Sequence, residues 1–196
     1  MIFYDKDGIV IRLAEEQDIS KIVELFSKNN FNCDYESGSL RPSNSQLENL
    51  INESINSDIK TDAYLVMYKG EKFIGYLAMH IDYDRVVIGH TAVVKKEQHK
   101  NYGRMMTFVA LNIASNEDRD VVCQCYNPNN YFVKIGFKNI GSGNYLKKTK
   151  HVDKKIPKVF ISNNEYKRMQ LERQKQEIDN FKSFLESDTF KLIKDL

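Results

Sequence analysis

The stretch HKNYGRMMTFVALNIA, which begins at His99, sets Gly103 between Lys100 and Arg104, just ahead of a run with helical apolar spacing. A helix start of that kind offers unsatisfied backbone N–H groups and the positive end of the helix dipole, so its chemistry is anion binding, phosphate above all. A single glycine before a helix is also ordinary loop chemistry, and the rest of the chain has to decide between the two. Cys123 and Cys125 are candidate nucleophiles on one face of a strand. Their CQC spacing has one residue between the thiols where a redox or zinc pair has two, and their neighbours are apolar. They read as buried structural thiols, and no metal site is expected.

These residues need elements to hold them. GIVIRLA alternates as a first strand, and EEQDISKIVELFSKNN carries Ile19, Ile22, Val23 and Phe26 at helical spacing. SNSQLENLINESI reads as a second helix, capped by Ser43 or Ser45, with Leu47, Leu50, Ile51 and Ile55 as its stripe. DAYLVMY and KFIGYLAMHI form a hairpin through KGEK, and DRVVIGHTAVV follows as the next strand. Met106, Val109, Ala110 and Ile113 share a face of the helix after Gly103; DVVCQCY is a strand, NPNNYFVKIGF a short helical turn closed by Gly136, and KNIGSGNYLKK a last strand pair.

Beyond Lys147 the composition changes. KKTKHVDKKIPK is a basic linker, read as solvated rather than as a nucleic-acid contact, and a charged helix follows in which Leu171, Ile178 and Leu185 recur every seven residues. The expected organisation is one domain over 1–150 and a linker with a helical tail over 151–196, the tail offering a face for a second copy or a protein partner. At 196 residues and a net charge of +2, nothing in the global charge points to nucleic acid or a membrane. Three cysteines without framework spacing, no signal peptide and no long apolar run fit a cytoplasmic protein.

From Ile9 to Lys148 the order of elements resembles the GNAT family of acyl-CoA-dependent N-acyltransferases. The likeness rests on VIRLAEEQDISKIVELF, with an Arg after the first strand and an Asp before the helix, on AVVKKEQHKNYGRMM, and on NPNNYFVKIGFKNIG. It implies an α/β fold: a GNAT-like central mixed, mostly antiparallel sheet flanked by helices, with a C-terminal helical extension. The family motif is a basic residue or Gln, two residues, Gly, one residue, then Gly or Ala. It maps onto Lys100, Asn101, Tyr102, Gly103, Arg104 and Met105, which the resemblance makes the seat of the pyrophosphate of acetyl-CoA. Asn101 stands where many members carry glycine and tolerates a left-handed backbone; Met105 replaces the final small residue.

The resemblance also implies the chemistry. A backbone N–H within Ala92, Val93 and Val94 would bond the thioester oxygen, and Asn127 the pantetheine arm. The strand carrying His90 lacks a Glu, so His90 becomes the base, with a pKa suited to neutral pH; His80 is a second candidate. The family's tyrosine acid falls on Phe132, beside the pantetheine, and the nearest phenol is Tyr131, one residue earlier. Asp34, Tyr35 and Glu36 lie where the fold takes its acceptor, and carboxylates there would suit a cationic amine. The expected activity is acetyl transfer from acetyl-CoA to a primary amine of a small molecule or protein. The rival is a non-catalytic protein of the same fold that engages a partner through its tail.

Overall fold

The computed structural model describes residues 1–29, 42–58, 60–124, 131–141, 143–149 and 158–186, with the backbone alone at Gln124 and Glu186. Asp34, Tyr35, Glu36, Asn127, Cys33, Cys125 and Tyr126 therefore lie outside the described residues. Contacts divide the chain into two compact units, Met1–Phe160 and Ile161–Leu196.

The first unit is built on an eight-stranded sheet. Two strands, β1 (Ile2–Lys6) and β2 (Ile9–Leu13), form a hairpin across Asp7-Gly8, whose φ values of +55° and +74° are those of a tight turn matched to strand twist. After α1 (Ile19–Lys28) and α2 (Asn44–Asn56) come β3 (Asp62–Lys69), β4 (Lys72–Asp82) and β5 (Arg85–Val93). Then follow α3 (Tyr102–Asn116), β6 (Asp120–Gln124), the single turn α4 (Tyr131–Lys134), β7 (Lys138–Gly141) and β8 (Asn144–Lys147). The spatial order is β1-β2-β3-β4-β5-β6-β8-β7, and only β5 and β6 run parallel. Strand β1 was not anticipated, although Asp-Gly between two alternating runs is a strong hairpin signal.

One face of the sheet is covered by α1 and α2. Ile22 and Phe26 of α1 and Leu47 and Ile51 of α2 pack on Val66, Tyr76 and Ala92. The alternate strand residues Leu65, Leu77, Met79 and Ile88 turn to the opposite face and are buried there, where Met106, Ala110 and Ile113 of α3 are buried too. Helix α2 is capped by Ser43, which receives the Gln46 N–H while the Gln46 side chain returns a bond to the Ser43 N–H. Its stripe is narrower than expected: Leu50 is 48% exposed, and Ser54 takes the buried place. Arg12 and Asp18, the pair at the chain's opening motif, are bonded at 2.6 Å, and the Tyr68 hydroxyl donates to the same fully buried carboxylate. This network ties the start of α1 to β2 and β3.

Two irregularities shape the middle of the sheet. Between Leu77 and Met79 the β4–β5 register slips, so that Ala78 faces both Gly89 and His90. In addition, among the described residues β5 pairs with β6 from Arg85 to Ile88, while β5 itself continues to Val93. Its last five residues, Gly89–Val93, thus run on beyond the paired stretch.

The first unit closes later than residue 150. Glu117 accepts the N–H groups of Val159 (2.7 Å) and Phe160 (3.1 Å), both buried, and also pairs with the buried Arg119 at 3.0 Å. The second unit is the helix α5 (Asn163–Glu186), started by Ser162, whose hydroxyl bonds Glu165. Leu171 and Ile178 on it are 58% and 54% exposed. Among the described residues no helix is long and apolar enough to cross a membrane, and no cluster of ligands suits a metal ion.

Candidate active site

The loop after β5 leads directly into α3. Val94 N–H bonds Ile74 O at 2.9 Å, a single tight turn covers Lys95–Glu97, and His99 and Asn101 both adopt left-handed φ of +65°. Helix α3 starts at Tyr102 with no side-chain cap, and its first helical bond runs from Met105 N–H to Asn101 O. The N–H groups of Tyr102, Gly103 and Arg104 therefore have no partner inside the helix and none from a cap. They open on a groove of about 500 Å³ lined by Val93, Asn101, Gly103, Arg104, Tyr131 and Lys134, among others. A Cβ at Gly103 would lie 3.7 Å from the Tyr131 hydroxyl and 3.9 Å from Val93 Cγ2, so the missing side chain leaves the space between those two residues clear.

Val93 forms the other wall. Because Val94 donates to Ile74 and Val93 lies opposite Gly75, ladder alternation turns Val93's own N–H and C=O away from β4. They face the β6 side of β5. The Gln98 side chain donates to Val93 O at 3.0 Å and so fixes the strand end to the loop.

Tyr131 and Phe132 point to different places. Tyr131 lines the groove, its hydroxyl 3.3 Å from Thr107 Oγ1, which in turn bonds Gly103 O at 2.9 Å. Burial of the phenol pushes its pKa above the ordinary tyrosine value, with Arg104 opposing. Phe132 instead packs edge-on against Phe137, with Tyr145 beyond, as part of the aromatic support for α4.

The charges near the loop are partly spent on one another. Glu97 is buried and bonds Lys72 at 2.5 Å and Lys100 at 2.9 Å, and these two hydrogen bonds hold its carboxyl down at about 2. Lys100 is thus tied to Glu97, and its own pKa is raised by that bond. Arg104 and Lys134 line the groove directly, Arg104 lying over the Phe108 ring.

The remaining candidates are dispersed. Ala92 is buried beneath α1, Val94 lines a different cavity, and Met105 is not among the groove's lining residues. His90 sits at the β4–β5 irregularity, half-buried, its ring edge-on to Phe26 of α1 at 5.1 Å between centroids. His80 is exposed on β4 opposite Val87, toward the far end of the strand from Gly75. Cys123 is a buried free thiol.

Gln98 was missed. Counted from Gln98, the expected spacing gives Gln, two residues, Asn101, one residue, Gly103. The left-handed residue then falls at Asn101, where a glycine would be easiest, and Met105 drops out of the motif. The signal was available, since the motif admits Gln as its first member. Two alternative registers two residues apart cannot be separated without backbone angles.

No family model matches the chain, and no curated protein matches it in sequence. Solved structures do resemble it. The PaiA N-acetyltransferase of Thermoplasma acidophilum, in complex with coenzyme A, superimposes with a TM-score of 0.56 at 16% identity, over 72% of this chain and 98% of that one. The spermidine N-acetyltransferase SpeG of Vibrio cholerae, in a mutant form, gives 0.57 at 17% identity, over 72% and 94%. The N-acetylglutamate synthase of Neisseria gonorrhoeae, with coenzyme A and L-arginine, gives 0.56 at 18% identity, over 72% of this chain and 33% of that one. With its mixed eight-stranded sheet, the parallel pair β5–β6 and the helix start at Tyr102, the chain has the fold of the GNAT acetyltransferases.

Proposed function

We propose that the protein transfers acetyl from acetyl-CoA to a primary amine by direct attack. The observation that carries this reading is the uncapped start of α3, whose three free N–H groups open beside Gly103 on the groove that Val93 also lines. An anion belongs there: the helix dipole and the unsatisfied donors both favour one, and Arg104 and Lys134 add positive charge. The pyrophosphate of coenzyme A fits that donor set, and the bound thioester supplies an activated acyl carbon.

The chain's residues divide the remaining work. Val93 N–H, turned from β4, is suited to bond the carbonyl oxygen as negative charge builds on it. His90, on the α1 side of β5, takes the proton from the attacking ammonium so that its lone pair is free. The new C–N bond replaces the C–S bond, and Tyr131 gives its phenolic proton to the departing thiolate, recovering one from solvent. Tyr131, rather than Phe132, supports this role because of the two it is the one that lines the groove, its hydroxyl 3.3 Å from Thr107 Oγ1.

Saturating acetyl-CoA should raise the melting temperature by linkage to the folded state, and Gly103→Glu should abolish the rise by placing a negative charge at the helix start. The absence of both a melting shift and a calorimetric signal with the unmodified chain would end the reading.

A further inference from the structure

A second cavity lies on the other side of the β5 end. It has a volume of about 840 Å³ and is bounded by α1, the start of β4 and the residues that follow β5. Among the described residues four lysines line it, Lys21, Lys28, Lys95 and Lys96, against one acid, Glu24. Glu24 is already paired with Lys28 one helical turn on. Lys21 donates to the Tyr68 hydroxyl at 2.9 Å, and that hydroxyl donates to Asp18. Lys95 and Lys96 are exposed, and their ammonium groups have no hydrogen-bond or ion-pair partner among the described residues. The cavity therefore holds two unengaged ammonium groups and an excess of positive charge, over an apolar wall of Leu25, Phe73 and Val94.

Its position relates it to the donor groove. Val93 lines the groove and Val94 the cavity, and Gln98 borders both. Phe26, next to Leu25 on α1, touches His90. A molecule in the cavity thus approaches β5 from the face on which His90 lies.

We infer that this cavity binds a small amine bearing carboxylates, of amino-acid to dipeptide size, and that this acidic amine is the acyl acceptor. The volume is that of a small-ligand pocket. Lys95 and Lys96 hold the carboxylates, and the apolar wall takes the aliphatic part. A cationic acceptor, which Asp34 and Glu36 alone would suggest, is repelled by the lysines. The acceptor role rests on the acetyltransferase reading; the binding preference does not.

The test is calorimetric titration of the full chain with three dipeptides that share backbone and α-amine: glutamyl-glutamate, alanyl-alanine and lysyl-lysine. Glutamyl-glutamate should bind at least tenfold tighter than alanyl-alanine, and lysyl-lysine should not bind. Lys95→Glu with Lys96→Glu, both at exposed positions, should weaken glutamyl-glutamate tenfold or more. The same reversal at Lys167 and Lys175 of α5 should leave its binding unchanged. Equal binding of the acidic and basic dipeptides, or an equal loss from the α5 pair, overturns the inference. Acetyl-CoA is titrated separately: if it fails to bind while the acidic preference holds, the donor reading falls and the acid-binding cavity stands. If both bind, thiol release with glutamyl-glutamate should exceed that with lysyl-lysine, and the reverse order overturns the acceptor assignment.

Discussion

The Tyr131 hydroxyl lies 3.3 Å from Oγ1 of Thr107, and the Thr107 hydroxyl is already bonded to Gly103 O. Thr107 has one proton and gives it to that carbonyl, so Tyr131 must be the donor between the two. The phenol is therefore protonated and aimed at the start of α3. Tyr131→Phe should lower turnover about a hundredfold or more while acetyl-CoA binding changes little. Initial rates against pH for Tyr131→Phe and the unmodified chain provide the check, and an unaltered rate in the variant would assign the proton to solvent.

His90→Ala should lower turnover by about two to four orders of magnitude, with recovery at higher pH as free amine becomes abundant. Its ring packs on Phe26, so a melting curve must accompany the kinetics. Superimposable pH profiles for the variant and the unmodified chain would remove His90 from the mechanism.

The start of α3 was legible in the sequence. Gly103 ahead of an apolar-periodic run marked the start of α3, because backbone donors and helical spacing are local properties. The register of the loop was not legible, since Lys100 and Gln98 both satisfy its first position and only the left-handed angle at Asn101 distinguishes them. Nor was the pairing of Lys100 with Glu97, or the meeting of Lys95 and Lys96 with Lys21 and Lys28, because these depend on which helix the loop packs against. The Arg12–Asp18 pair was visible as a motif, but its anchoring role needed the Tyr68 bond from β3.

Gly75 sets the position of the β5 end. A Cβ there would lie 2.3 Å from Ala92 O and 3.1 Å from Val93 Cα, both backbone atoms, so the strands would have to part. Gly75→Ala should destabilise the protein by about 1–3 kcal/mol and should also displace the Val93 N–H. Chemical denaturation measures the first effect. The second appears as a fall in kcat larger than any change in acetyl-CoA affinity; unchanged kinetics at full occupancy would separate Val93 from the reaction.

Glu97 makes the loop sensitive to acid. Its carboxyl titrates at about 2 in the folded chain, below its ordinary 4.5, because Lys72 and Lys100 bond the ionised form. A lowered folded-state pKa stabilises the fold above the unfolded value, and that contribution is lost as pH falls from about 4.5 toward about 2. Glu97→Gln should therefore melt below the unmodified chain at neutral pH, with the difference shrinking over that acid window. A difference that stays constant down to pH 2 would show that the carboxylate's charge contributes nothing.

Ending the first unit at residue 150 or at Phe160 makes opposite demands on Glu117. Ending the chain at Lys150 removes the Val159 and Phe160 N–H groups that bond its carboxylate, and with them two buried side chains. Burial already pushes the Glu117 pKa above the ordinary carboxylate value, so the loss of those donors leaves Arg119 as its remaining named partner. The lost apolar burial alone amounts to about 2 kcal/mol or more. Ending the chain after Phe160 keeps all of these contacts and follows the division between the two compact units. The longer fragment should retain the melting temperature of the full chain and its response to acetyl-CoA, whereas the shorter should melt several degrees lower. Sedimentation of the full chain beside the longer fragment tests the tail: if the exposed Leu171 and Ile178 of α5 pair with a second copy, only the full chain will sediment as a dimer. Equal melting of the two fragments would show that residues 158–160 are dispensable and return the boundary to residue 150.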